Sequence, residues 1–94
     1  MTDRELVVWL KTDLGITTPA YDDRLEVYIA SARDEIIREG VLLTGTTEDD
    51  NLVVMYAAWM WRSRDTHDGM PRMLRYALNN RLFARAAGGA DDPE

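Results

Sequence analysis

Residues 52–61 read Leu-Val-Val-Met-Tyr-Ala-Ala-Trp-Met-Trp, ten apolar side chains without a break. A strand buried on both faces for that length is out of proportion in a chain of 94 residues. A membrane span needs about 20 such residues, so no membrane is expected as a partner. A surface helix keeps a polar side opposite its apolar stripe, and this run has none over nearly three turns. The segment is therefore expected to be a helix covered on more than one side, and whatever covers it decides what the chain can become.

At 100° per residue, Leu52, Met55, Tyr56, Trp59 and Ser63 fall on one side of that helix. Val53, Ala57, Met60, Trp61 and Arg64 fall roughly opposite. Each tryptophan carries about 150–250 Å², roughly 4–6 kcal/mol of burial as an upper bound, so both rings should be covered. Either this helix is central to the domain or its second face meets another chain. With only three other helices legible, the pattern favours a partner chain for part of that face. Val53, Ala57, Trp61 and Arg64 are thus expected at a subunit contact, and Leu52, Tyr56 and Trp59 in the chain's own core.

The rest of the sequence reads as helices with turns between them, giving an all-α fold, a small bundle of about four helices. The first helix spans about 3–14, with Thr2 and Glu5 at capping-box spacing and Gly15 at its end. The second spans about 22–39, capped by Asp22 or Asp23, with Leu25, Tyr28, Ile29, Ala32 and Ile36 on one face and Gly40 after it. The third spans about 47–66 with Thr47 as its cap. The fourth starts at Pro71, where a missing N–H is tolerated, and runs to about 86. Residues 1–87 are one domain, and 88–94, with two glycines, three acids and a proline, read as a flexible tail.

Net charge is −6 and unevenly spread. Residues 1–50 hold twelve acids against five bases, while residues 51–90 hold two acids against six arginines. The acidic total disfavours non-specific nucleic-acid binding, which needs phosphate neutralisation. Opposite halves could pack head to side in an assembly, although acids capping helix starts explain the same pattern more simply. The absence of cysteine excludes a disulfide framework and fits a reducing cytoplasm. Residues 1–15 carry charges throughout and no signal-peptide core.

No catalytic site is expected. His67 is the only histidine and lies in a polar loop. No metal-ligand spacing or glycine-rich phosphate loop is present. The acid pairs Asp22-Asp23, Asp49-Asp50 and Asp91-Asp92 sit at helix starts or in the tail, where capping and solvation account for them. Neither enzymatic activity nor a cofactor is expected.

The fourth helix carries a second stripe. Leu74, Leu78 and Leu82 recur at i, i+4, i+8 and should dock on the core, while Arg72, Tyr76, Asn79 and Phe83 lie about 140° away. The second helix or residues 41–43 would cover that stripe in the simpler reading. In the other it is a docking surface, since Tyr, Phe and Arg are enriched at interfaces.

Four segments in order, ELVVWLKTDLGI, YDDRLEVYIASARDEIIREG, NLVVMYAAWMWRSRD and MPRMLRYALNNRLF, give the chain its likeness to a known group. It resembles the head–tail connector family of long-tailed bacteriophages, the small helical head-completion or adaptor proteins. The likeness covers about residues 5–86 and lies in the order and spacing of degenerate helical patterns. Two tryptophans in the third segment and the arginine content of the fourth depart from the family pattern. The resemblance implies a structural subunit of the virion neck, made in the host cytoplasm and assembled as a ring of about a dozen copies. Such a ring sits under the portal protein, extends the DNA channel with passive contact to DNA, and receives the next neck or tail-completion protein. The C-terminal segment is implied to engage the portal. The competing readings are a small DNA-binding module using Arg72, Arg75, Arg81 and Arg85, or a dimeric helical regulator.

Overall fold

The computed structural model describes the backbone of residues 1–91 and the side chains of residues 1–83. It holds four helices, α1 (Asp3–Leu14), α2 (Asp22–Arg38), α3 (Thr47–Arg62) and α4 (Arg72–Asp91), with a single 3₁₀ turn at Pro19–Tyr21 before α2. Among the described residues there is no strand, so Val41-Leu42-Leu43 is a connector, anchored by the buried Val41. The expected tail at 88–94 falls on residues whose side chains, or past Asp91 whose backbone, lie outside the described residues. No described helix is long and apolar enough to cross a membrane.

Local chemistry sets the helix ends. Thr2 caps α1 with a complete box: the Glu5 amide donates to Thr2 Oγ1 at 3.1 Å, and the Thr2 amide donates to Glu5 Oε1 at 2.7 Å. The Thr2 amide foremost, with the Thr2 hydroxyl second, holds the Glu5 carboxyl below its ordinary pKa. Gly15, at φ 73°, closes the helix in the left-handed region. Thr46 rather than Thr47 caps α3, accepting from the Asp49 amide at 3.2 Å. Neither Asp22 nor Asp23 caps α2, because the 3₁₀ turn feeds directly into it from Tyr21. Asp22 instead accepts from Lys11 Nζ at 2.8 Å, tying α2 to α1. Helix α3 ends at Arg62, a turn earlier than the sequence suggests. Ser63 leaves helical geometry while its hydroxyl donates to the Trp59 carbonyl at 2.7 Å.

At the end of α2, Gly40 adopts φ 104°. The Val41 amide then donates back to the Ile36 carbonyl at 3.3 Å, the six-to-one bond of a Schellman ending. A Cβ at position 40 would lie 3.4 Å from Leu82 Cδ2, where α4 passes. Gly40→Ala is expected to cost about 1–3 kcal/mol from backbone strain, read as a fall in the urea midpoint at unchanged slope.

The packing answers the question raised by residues 52–61. Helix α3 is central and packs against α1, α2 and α4. Leu52, Val53, Val54, Tyr56, Ala57 and Ala58 are all buried, positions that span most of the helix circumference. The exposed positions of α3 are Thr47 at its start and Glu48, Asn51 and Arg62, which with the half-buried Met55 form a narrow wet strip. The expectation that a partner chain covers Val53 and Ala57 is therefore corrected. Both are 0% exposed within the single chain, because three neighbours, not one, surround α3.

Ion pairs fix the helix directions. Arg33 binds Asp3 at 2.7 Å and Lys11 binds Asp22, so α1 and α2 are antiparallel. Met1's amino group lies 3.6 Å from Asp50, and Arg62 donates to the Asp13 carbonyl at 2.9 Å, so α1 and α3 run together. Arg81 meets Asp49, so α4 runs back along α3. One end of the bundle therefore gathers the last turns of α1 and α3 with the first turn of α2, while the first turn of α4 is tied through Arg75 to Glu39 at the opposite end of α2.

Candidate docking surface

Helix α4 carries two faces, as its spacing requires. Leu74 and Leu78 are buried, and Leu82 packs on the same core. Opposite them, Arg72 is exposed, Tyr76 is 56% exposed, Phe83 is 72% exposed and Asn79 is half-buried. Met73, also 72% exposed, extends the patch, and the leucine-first reading of the sequence passed over it. Neither α2 nor residues 41–43 cover the stripe. An exposed Phe, Tyr and Met on one helix face is the kind of apolar patch that marks an interaction site.

The helix bearing this patch is held firmly. Arg75 binds Glu39, the residue that ends α2, at 2.8 Å. Arg81 grips Asp49 through Nε at 2.5 Å and Nη2 at 3.1 Å, and donates to the Leu42 carbonyl at 2.9 Å. Asp49 also accepts from the Thr44 amide at 2.7 Å and its hydroxyl at 3.0 Å. Burial of Asp49 works to raise its pKa, but the Arg81 and Thr44 hydrogen bonds outweigh it and hold the carboxyl below the ordinary range. The same hydrogen bond to Asp49 raises the pKa of Arg81. So Asp49 and Asp50, expected as solvated helix-start acids, are both buried, and Asp49 is the node joining α3, α4 and the 42–46 connector. Ion pairing of Arg75 and Arg81 also leaves only Arg72 of the described arginines on α4 without an acidic partner.

The other expected contact, on α3, divides. Val53 and Ala57 belong to the core, as described above. Trp61 is half-buried at the rim, with Tyr21 and Tyr28 edge-on at centroid distances of 5.6 and 5.5 Å. Arg64 stacks its guanidinium 3.9 Å above the indole and donates to the Trp61 carbonyl. Tyr28 belongs to the apolar face expected for the second helix and packs on the core, whereas Tyr21 and Arg24 were not singled out in the sequence. Tyr21 and Tyr28 are seven residues apart, a spacing that hints at their shared face. Trp59 packs edge-on to Tyr56 at 5.4 Å. Leu52 and Tyr56 are buried in the core, as expected.

A cleft of about 340 Å³ lies over the wet strip of α3, with Asn51, Leu52 and Met55 on one side and Ala77, Asn80 and Arg81 on the other. It gathers no group of metal-ligating side chains, and none occurs elsewhere among the described residues. His67 sits in the exposed loop after α3 at φ 57°. Comparison with known protein families, characterised proteins and solved structures gives no match.

Proposed function

We propose that the chain is a structural assembly subunit of a phage neck, a head–tail connector that forms a ring under the portal, extends the DNA channel and joins head to tail. The observation carrying this reading is the exposed Arg72–Met73–Tyr76–Phe83 face on a helix that the core and two ion pairs hold in place. A rigid helix presenting aromatic anchors loses little conformational freedom on docking, which suits a subunit that must fit between two larger bodies. The order of the four helical segments agrees with the connector pattern. In this reading α4 engages the portal, and other surfaces meet neighbouring copies and the next neck protein.

The DNA-binding alternative is weaker because Arg75 and Arg81 are engaged by Glu39 and Asp49. Freeing them for phosphate would leave Asp49 as a buried, unpaired charge. The proposed function is tested by adding purified protein to portal-bearing heads that lack a neck. Binding to those heads, and their conversion to forms that accept tails, is the expected result.

A further inference from the structure

The cleft between α3 and α4 is lined by polar groups that the fold itself does not use. Asn51 stands on the α3 wall and Asn80 on the α4 wall. Both are exposed, and neither carboxamide has a hydrogen-bond partner among the described residues. Glu48, also in the lining, is exposed and forms no ion pair there. Arg81 lines the same cleft but does not neutralise Glu48. Its Nε and Nη2 are committed to the buried Asp49 and to the Leu42 carbonyl, which leaves Nη1 as a donor without a partner. Two carboxylates therefore share one guanidinium, and the unanswered one is the exposed one. Leu52, Met55 and Ala77 supply the apolar part of the lining.

Size and charge together select the occupant. About 340 Å³ is near the lower limit for ligand pockets, and a single turn of helix with its side chains fills roughly 400–600 Å³. An extended chain fits where a helix does not. A free carboxylate calls for a cation and repels phosphate. Each carboxamide carries both a donor and an acceptor, which matches the N–H and C=O of a peptide group. The apolar lining suits the methylene stem of a long basic side chain, which lies on apolar surface while its head stays charged. A second copy of this chain does not supply such a segment. Ten of its eleven basic residues lie within helices, and the remaining one, Arg64, is stacked on Trp61.

We infer that the α3/α4 cleft binds an extended segment of another protein through one arginine or lysine side chain. The stem of that side chain lies over Leu52, Met55 and Ala77, and its head meets the Glu48 carboxylate in a charge-assisted hydrogen bond. Asn51 and Asn80 pair with the flanking peptide groups, and Arg81 Nη1 donates to a peptide carbonyl. The site lies beside the Tyr76–Phe83 stripe and is lined by neither residue, so it stands independently of what that stripe docks on.

Titration of the full, ¹⁵N-labelled chain with two short peptides, followed by NMR, tests it. The probes are acetyl-Leu-Arg-Leu-amide and acetyl-Leu-Glu-Leu-amide. The arginine peptide is expected to shift the side-chain signals of Asn51 and Asn80 and the neighbouring backbone amides, with a dissociation constant of about 1 mM. The glutamate peptide should bind at least roughly tenfold more weakly, as should the arginine peptide to Glu48→Gln, since one charge-assisted hydrogen bond carries that factor. Asn51→Ala with Asn80→Ala should also weaken the arginine peptide roughly tenfold. All three side chains are exposed, and the spectrum itself reports whether each variant is folded. Absence of shifts in the cleft up to about 10 mM peptide would overturn the inference, as would equal affinity for the two peptides or undiminished binding by the folded variants. Shifts confined to the Trp61 cluster would place the site elsewhere and overturn it too. If the cleft signals move with protein concentration alone, the occupant is a second copy and the inference is wrong. Capture by portal-bearing heads tests the neck reading and not this one.

Discussion

Replacing Asp49 with alanine is expected to remove about 3–5 kcal/mol of stability, the usual consequence of deleting one partner of a buried ion pair. Asp49 is 1% exposed and accepts hydrogen bonds from Arg81 on α4 and from Thr44 in the connector. The substitution leaves a desolvated guanidinium and an unpaired Thr44 amide, and it frees one of the two clamps on α4. The charge adds a pH signature. The Asp49 carboxyl titrates below its ordinary value in the folded chain, so its contribution is complete above the unfolded value of about 3.9 and is lost as pH falls through the folded value. Urea unfolding at neutral pH and near pH 3 measures both effects. Wild type should lose more stability on acidification than Asp49→Ala does, since the variant has already lost this carboxyl. Equal acid sensitivity in the two proteins would show that Asp49 is not held as an ionised, bonded carboxylate.

Trp59→Ala is expected to cost about 3–5 kcal/mol, the range for truncating a large aromatic in a packed site. Trp59 packs on the buried Tyr56 within the main core. Its indole Nε1 is buried without a hydrogen-bond partner, so Trp59→Phe should recover most of that loss while removing an unsatisfied donor. Trp61→Ala should also destabilise the single chain, by about 1.5–3 kcal/mol, because Tyr21, Tyr28 and Arg64 surround its ring. Guanidinium midpoints for the three variants give the order. An unchanged midpoint for Trp61→Ala would mean that the aromatic cluster at the rim contributes nothing to the folded monomer.

The pair of tryptophans also illustrates where sequence reasoning stopped. Periodicity identified all four helices, the Thr2–Glu5 box and the leucine face of α4, because each depends on local spacing and local hydrogen bonds. The same periodicity described two apolar faces on α3 without naming their covers. Three neighbours reach α3 only because α1 runs parallel to it while α2 and α4 run antiparallel, and that is set by long-range pairs such as Arg62 with the Asp13 carbonyl. The burial of Asp49 was hidden for a related reason. An acid in a first helical turn normally faces water, and its partner Arg81 lies 32 positions away. The exposed stripe of α4 was legible as a candidate. Its exposure became decidable only when neither α2 nor the 41–43 connector came to rest on it.

The claim that α4 presents a docking face is tested most directly by the double variant Tyr76→Ser with Phe83→Ser, assayed side by side for thermal melting and for binding to portal-bearing heads that lack a neck. Both side chains are more than half exposed, and exposed substitutions away from caps and charge networks usually shift stability by no more than about 0.5 kcal/mol. The account predicts a melting temperature within a few degrees of wild type, about what 0.5 kcal/mol produces in a domain of this size, together with loss of head binding. A collapse of the melting temperature would make the stripe part of the core, and full head binding by a folded double variant would contradict its role as the docking surface.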